Sequence, residues 1–189
     1  MKKTIAALLF VFMGVCLYAQ TLTWDIKFFN SKTRESFPIS KIITMETGQY
    51  FSISLEPDSN CFSYIILYDS NKKISVLYDA PLTKGEKVNL GRAKLEEPSG
   101  TETLYVIMSL SRQTKLESLI QSYKNDPDSR SFANNLYREI ITLQNAASKL
   151  GEPASAFIPS GGTTRGTSQE YATRFSGKEM YVRTISIRH

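Results

Sequence analysis

Residues 61–80 read CFSYIILYDSNKKISVLYDA, from Cys61 to Ala80. Two apolar, aromatic-rich runs flank the polar cluster Asp69-Ser70-Asn71-Lys72-Lys73. The first carries Phe62, Tyr64, Ile65, Ile66, Leu67 and Tyr68, and the second Ile74, Val76, Leu77 and Tyr78. β-Branched and aromatic side chains favour a pleated, half-buried surface, and an Asp/Ser/Asn cluster lets the chain reverse. The pattern predicts a β-hairpin at the centre of an antiparallel sheet.

The strand pattern continues on both sides of this hairpin. Thr21–Asn30 alternates, with Leu22, Trp24, Ile26 and Phe28 on one face and Thr21, Thr23, Asp25 and Lys27 on the other, which predicts a half-buried strand with Trp24 in the core. After a polar loop over 31–36, Ile39, Ile42, Ile43 and Met45 suggest an irregular strand beyond Pro38. Tyr50–Leu55 alternates again, and Lys87–Leu90 is a short strand before a polar stretch over 91–100. Thr101–Ser109 is apolar on both faces, with Leu104, Val106 and Met108 against Tyr105 and Ile107, so it belongs inside a sheet.

The period then changes. Leu116, Leu119 and Ile120 recur at helical spacing, and Phe132, Leu136, Ile140, Leu143, Ala147 and Leu150 form one longer stripe. Asp126-Pro127-Asp128 carries the signals of a helix start, and Gly151 those of a stop. Residues 153–169, rich in Pro, Gly, Ser and Thr, are expected to form a flexible loop. Residues 170–188 then hold two strands around Ser176-Gly177-Lys178, and the regular second one is expected to return to the sheet. The fold class is therefore mainly β: an antiparallel sandwich of seven to nine strands, with one short and one long α-helix inserted at about 114–150, before the C-terminal strands.

The N-terminus carries a separate signal. Lys2 and Lys3 precede an apolar run over Thr4–Val15, which ends at Leu17-Tyr18-Ala19-Gln20. A basic end, a short apolar run and a small residue before a polar one describe a secretory signal peptide over 1–19, cut between Ala19 and Gln20. The run is shorter than the roughly 20 apolar residues a spanning helix needs. Attachment of lipid at Cys16 is the rival, and Val15 before it suits that reaction poorly. The remaining residues, 20–189, form a single β-rich domain placed in the periplasm or outside the cell, including at an outer membrane, with no further membrane span. Cys61 is then the sole cysteine and reads as a buried strand residue.

The formal charge of +5 is unevenly placed. Lys2 and Lys3 leave with the leader, residues 159–189 carry an excess of three cations, and 20–158 is neutral. No basic stripe or aromatic-glycine signature points to nucleic acid. His189 is the single histidine and the last residue of the sequence, a position at which packed neighbours rarely hold an imidazole, so a Ser-His-Asp or Cys-His arrangement is not expected. Gly161-Gly162-Thr163-Thr164-Arg165-Gly166 lacks the Lys-Ser/Thr ending of a phosphate loop. The acidic pairs Glu56/Asp58, Glu96/Glu97 and Asp126/Asp128 sit in turns or at a helix start, where solvation or capping accounts for them; a carboxylate-dependent hydrolase or a calcium loop at Glu56–Asp58 is the weaker use.

The run from Gly48 to Ile120 resembles a bacterial family called domain of unknown function 4384. The residues that carry the likeness are Gly48-Gln49-Tyr50-Phe51, Glu56-Pro57, Tyr64-Ile65-Ile66-Leu67-Tyr68-Asp69, Val76-Leu77-Tyr78, and Gly100-Thr101-Glu102 followed by an apolar strand ending in Ser109. The resemblance implies a β-rich extracytoplasmic or accessory domain, and it brings no catalytic residues with it.

The reading is an exported, non-enzymatic accessory protein of the cell envelope that binds another envelope or secreted protein, with no cofactor and no metal. A carbohydrate- or peptidoglycan-binding module using exposed tyrosines is the alternative. Tyr64, Tyr68, Tyr78, Arg165 and Arg174 are the candidate binding surface. Intact-mass analysis of the exported protein is expected to place Gln20 first; a lipid-bearing Cys16 at the N-terminus would overturn the cleavage site.

Overall fold

A computed structural model describes residues 21–39, 42–151, 154–159 and 171–189. Strand β1 (Leu22–Asn30) obeys the alternation in its sequence, burying Leu22, Trp24, Ile26 and Phe28 while Thr23, Asp25 and Lys27 stay half-exposed. Short β2 (Ser36–Phe37) pairs back onto it. Then follow β3 (Ile43–Thr44), β4 (Tyr50–Pro57), β5 (Cys61–Tyr68), β6 (Ile74–Leu82), β7 (Val88–Lys94) and β8 (Thr101–Ser109). Helices α1 (Thr114–Asn125) and α2 (Arg130–Lys149) come next, before β9 (Ala154–Pro159), β10 (Tyr171–Gly177) and β11 (Met180–Arg188).

The strands form two sheets. Sheet A runs β7-β4-β1-β10-β9 with β2 beside β1, and sheet B runs β3-β11-β8-β5-β6. Pairing is antiparallel except for β3, which lies parallel to β11. The fold is mainly β, with the two helices inserted before the C-terminal strands, and β11 returns to pair with β8 along its whole length.

The double-faced apolar strands explain the layering. One core fills the space between the sheets and contains Trp24, Ile26, Phe28, Ile53 and Leu55 from sheet A with Ile65, Leu104, Val106, Met108, Ile185 and Ile187 from sheet B. The second lies on the outer face of sheet B, where Tyr64, Ile66, Tyr105, Ile107 and Val182 meet Leu116 and Ile120 of α1 and Leu136, Ile140, Leu143 and Ala147 of α2. Alternate residues of β5 and β8 thus enter different cores, and the outward set is what the helices cover. Tyr123 of α1 donates to the Ile74 carbonyl at 2.8 Å, and Gln144 of α2 to the Thr184 hydroxyl at 3.0 Å.

Several expectations are corrected. The β5–β6 hairpin is not central: β5 is interior, but β6 is the edge of sheet B. Its half-exposed middle, the bulge opposite Ile65/Ile66, and Pro81 suit an edge. The described residues hold eleven strands rather than seven to nine, because β2 and β3 are two residues each and Ala154–Pro159 forms β9 on β10 where a loop was expected. The rest of that loop, and both residues of the leader cut, lie outside the described residues. The start of α2 is capped by Ser129, whose side chain accepts from the Phe132 N–H at 3.5 Å, while Asp126 terminates α1 instead. Gly151 does end α2, at φ +95°, a backbone region that glycine enters at little cost.

Trp24 is fully buried and packs against Phe175 and Tyr181, with ring centroids 5.4 and 5.0 Å away. Trp24→Ala is expected to destabilise the fold by about 3–5 kcal/mol in urea unfolding, whereas exposed Lys94→Ala should stay within about 0.5 kcal/mol of wild type.

Candidate binding groove

The β5–β6 turn is built to display its tip. Asp69 accepts the Lys73 N–H on its side chain at 2.7 Å, and its backbone pairs with Lys72 and Lys73 at 3.0 Å each. Lys72 adopts φ +65°, within the left-handed region that a non-glycine residue occupies at a cost. The turn so fixed presents Asn71, Lys72 and Lys73 to the α1–α2 junction. On the facing wall, Arg130, Ala133, Asn134 and Tyr137 follow one another at helical spacing along one side of α2. Between the walls lies a groove of about 610 Å³, within the size range of ligand clefts.

The floor is aromatic. Tyr68 stacks on Tyr137 at 4.9 Å between centroids and 26° between planes, and Tyr137 meets Tyr105 edge-on at 6.5 Å. Burial, followed by the neighbouring Tyr137 and Asp69, pushes the Tyr68 hydroxyl above its ordinary pKa, so it remains a protonated hydrogen-bond donor at neutral pH. Three cations, Lys72, Lys73 and Arg130, line the groove against one carboxylate, Asp128.

The four predicted binding residues that lie among the described residues occupy different places. Tyr68 lines the groove. Tyr64 is fully buried beneath α1, where its hydroxyl donates to Glu117 at 2.7 Å and accepts the Gln113 N–H at 3.0 Å. Tyr78 lies half-buried on edge strand β6 against the inter-sheet core, 3.4 Å from the Pro81 carbonyl. Arg174 sits on the other side of the molecule, on the outer face of sheet A, with a bidentate pair to Asp25 at 2.7 and 2.8 Å and Asp58 at 3.9 Å. Arg165 and the glycine-rich run around it lie outside the described residues. With Tyr64, Tyr105 and Tyr123 also buried, the tyrosines whose burial is described do not make a continuous solvent-facing row.

The acidic pairs separate in the same way. Glu56 and Asp58 flank the Arg174 ion pair, Glu96 and Glu97 are exposed before Pro98, and Asp126 and Asp128 bracket the helix junction. Among the described residues no three His, Cys, Asp or Glu side chains gather. Cys61 is buried, and burial pushes its thiol up to about 11, which disfavours the nucleophilic thiolate.

One pair was missed in the sequence. His189 is held by packed neighbours after all: its backbone exchanges two 3.0 Å hydrogen bonds with Gly100, and its side chain has no exposed surface. The ring nitrogens face the Thr47 hydroxyl at 3.1 Å and Glu102 at 3.4 Å. The ring has no face open to a substrate, so the pair is an ionisable element of the core. The signal available was the Gly-x-Glu start of β8, where an acid breaks an otherwise apolar strand. Burial, and then the charges of Asp69 and Glu96, push the Glu102 carboxyl up from 4.5 to about 7.

Comparison with protein-family models, with curated proteins and with solved structures gives no match for this chain. Among the described residues no helix is long and apolar enough to cross a membrane.

Glu102 makes a testable contribution to pH dependence. Below pH 4.5 it is protonated in both folded and unfolded chains. Between 4.5 and about 7 the folded state keeps a proton that the unfolded chain releases, so its contribution falls as pH rises and is lost above about 7. Urea unfolding of Glu102→Gln should show a stability advantage over wild type that grows from pH 5 to pH 8, reaching at most about 3 kcal/mol. An advantage independent of pH would contradict a raised carboxyl.

Proposed function

We propose that this protein is an exported, non-enzymatic binding protein of the cell envelope, and that the groove between the β5–β6 turn and the α1–α2 junction takes up an acidic segment of a protein partner. The observation that carries this reading is the lining itself: a stacked Tyr68–Tyr137 floor beneath three cations and one carboxylate, drawn from a hairpin and two helices. Aromatic rings supply contact area at low entropic cost, and cations at a rim steer an acidic partner and set its association rate. The groove sits on two packed helices and a stapled turn, so its shape exists before a partner arrives, which reduces the ordering cost of binding. Export rests on the N-terminal leader, and membership of the domain of unknown function 4384 family, with its β-rich accessory role, belongs to the same proposal.

A second reading uses the same floor. Tyr68 and Tyr137 lie beside the side-chain amides of Asn71 and Asn134, and a flat ring next to amides also suits a sugar ring in a glycan or peptidoglycan strand.

Crosslinked affinity purification from intact envelopes, read by mass spectrometry, separates the two. A single protein should be recovered repeatedly with wild type. It should fall by about tenfold or more with Lys72→Glu/Lys73→Glu/Arg130→Glu, and recovery should weaken with rising salt. A partner retained by the triple variant removes the groove from the interaction. Recovery of wall fragments that Tyr68→Ala abolishes favours the glycan reading.

A further inference from the structure

A buried ionisable pair lies beside the turn that forms one wall of the groove. Glu102 of β8 and His189, just past β11, both have buried side chains, and Glu102 Oε1 is 3.4 Å from His189 Nε2. Arg112, Lys115, Lys124 and Arg174 keep their ion pairs partly in water, but this pair has no such outlet. Among the described residues, neither His189 Nε2 nor Glu102 Oε2 has a hydrogen-bond partner. Polar atoms left so in the interior are costly, and the cost changes with each proton gained or lost. With a proton on both groups the pair carries one buried positive charge. With one proton between them it is neutral overall. With none, a buried carboxylate stands alone.

The groups around the pair disfavour that last state. Asp69 of the β5–β6 turn and Glu96 before β8 face Glu102 with negative charge. Thr47 meets the other ring nitrogen at 3.1 Å, and its neighbour Glu46 is exposed and bonded to Gln49. Arg188 is exposed, and the His189 backbone oxygen accepts the Gly100 N–H at 3.0 Å. Gly100 in turn is packed on the β5–β6 turn: a Cβ there would come 2.8 Å from the Ser70 Cβ, and the Ser70 hydroxyl donates to the Pro98 carbonyl at 2.8 Å. The next residues of that turn, Asn71, Lys72 and Lys73, line the groove. Asp69, the acid facing Glu102, also accepts the Lys73 N–H at 2.7 Å. The carboxylate that an ionised Glu102 repels is therefore the one that anchors the groove wall.

We infer that Glu102 and His189 form a proton-controlled latch on the β5–β6 turn, which holds the groove wall in place while the pair shares a proton and loosens it when that proton leaves. Burial and the two acids bring the Glu102 carboxyl up to about 7, so the latch is closed below neutral pH and open above it. Its regulatory meaning rests on the groove reading given above. The latch itself is a property of the fold and is measured without a partner.

The test is amide hydrogen exchange on the isotopically labelled protein between pH 6 and pH 8, with rates corrected for the intrinsic effect of pH. Protection of the Lys73 and Gly100 amides should fall about tenfold, following the titration of the Glu102 carboxyl carbon, while the amides of β1 stay protected. Glu102→Gln should abolish the fall. Coupling is reciprocal, so Asp69→Asn, which keeps an acceptor for Lys73, should lower the pH at which Glu102 titrates. A fall that persists in Glu102→Gln, protection that does not follow pH, or a Glu102 midpoint that Asp69→Asn leaves in place would overturn the latch. Hexaglutamate then probes the groove at the same two pH values. Tighter binding at pH 6 in wild type, with no pH difference in Glu102→Gln, supports regulation through the latch. Equal binding at both pH values in wild type rules that regulation out. Absence of binding at either pH counts against the groove reading, and the exchange result alone then decides the latch.

Discussion

Trp24 is the point at which two distant parts of the chain are forced together. Its ring lies against Phe175 on the neighbouring strand of its own sheet and Tyr181 on the opposing sheet, and those two rings are 5.4 Å from each other. Phe175 and Tyr181 are only six positions apart, yet they belong to different sheets, so the turn at Lys178–Glu179 carries the chain from one layer to the other. Neither sheet is complete without this return: β10 bridges β1 and β9, and β11 bridges β8 and β3. The indole is the shared wall that lets both strands dock from one crossover. Long-range closure of this kind is costly in loop entropy, and a large aromatic cluster is a direct way to offset it.

The helices follow from a second constraint. Tyr64, Ile66, Tyr105 and Ile107 project from sheet B away from the inter-sheet core, and leaving them wet would expose a broad apolar face. Two helices with apolar stripes cover it. Buried polar tips are satisfied as they are covered: Tyr64 by Glu117 and the Gln113 N–H, and Tyr123 by the Ile74 carbonyl. Glu139, on the inner side of α2, is paired by Lys115 from α1. The groove exists because this cover is incomplete. The α1–α2 junction ends beside the β5–β6 turn, so Tyr68 has a partner ring on one side and open space on the other.

How much of this could be read from the sequence depends on the range of the forces involved. Local periodicity was enough for β1, for the two-faced character of β8, and for the stripe on α2, because a period reports directly which side chains share a face. It was not enough for the neighbours of a strand. The β5–β6 pair reads as a hairpin, but nothing local says that β6 has no second partner; that depends on β8 taking the other side of β5 and β11 the far side of β8. The same limit applies to Ala154–Pro159, whose composition suggests a loop and whose extended state comes from pairing along β10. At the start of α2, Asp126 and Ser129 both have capping side chains, and the choice was settled by where α1 stops. Of the groove residues the sequence named Tyr68, but in one set with residues that lie elsewhere, and tyrosine counts alone do not say which rings a helix will cover. The position of His189 in the chain argues against a packed ring, yet its burial is set by the strand it extends.

The two faces of the sandwich have therefore been left in different chemical states for one reason. Sheet B is apolar on both sides and must be covered, so the groove lies at the margin where the cover ends. Sheet A alternates, with Asp25, Lys27, Ser54, Glu56 and Asn89 on its outer side, so it needs no cover and can hold charges in register across its strands. Opposite charges placed there pair with each other, as Arg174 does with Asp25. Elsewhere the register aligns Lys27 with Ser54 and Asn89, beside Arg34 fixed over Phe29. The outward apolar set of sheet B is thus covered by helices up to the groove, while the outer side of sheet A carries its polar and charged residues in register across β1, β4 and β7.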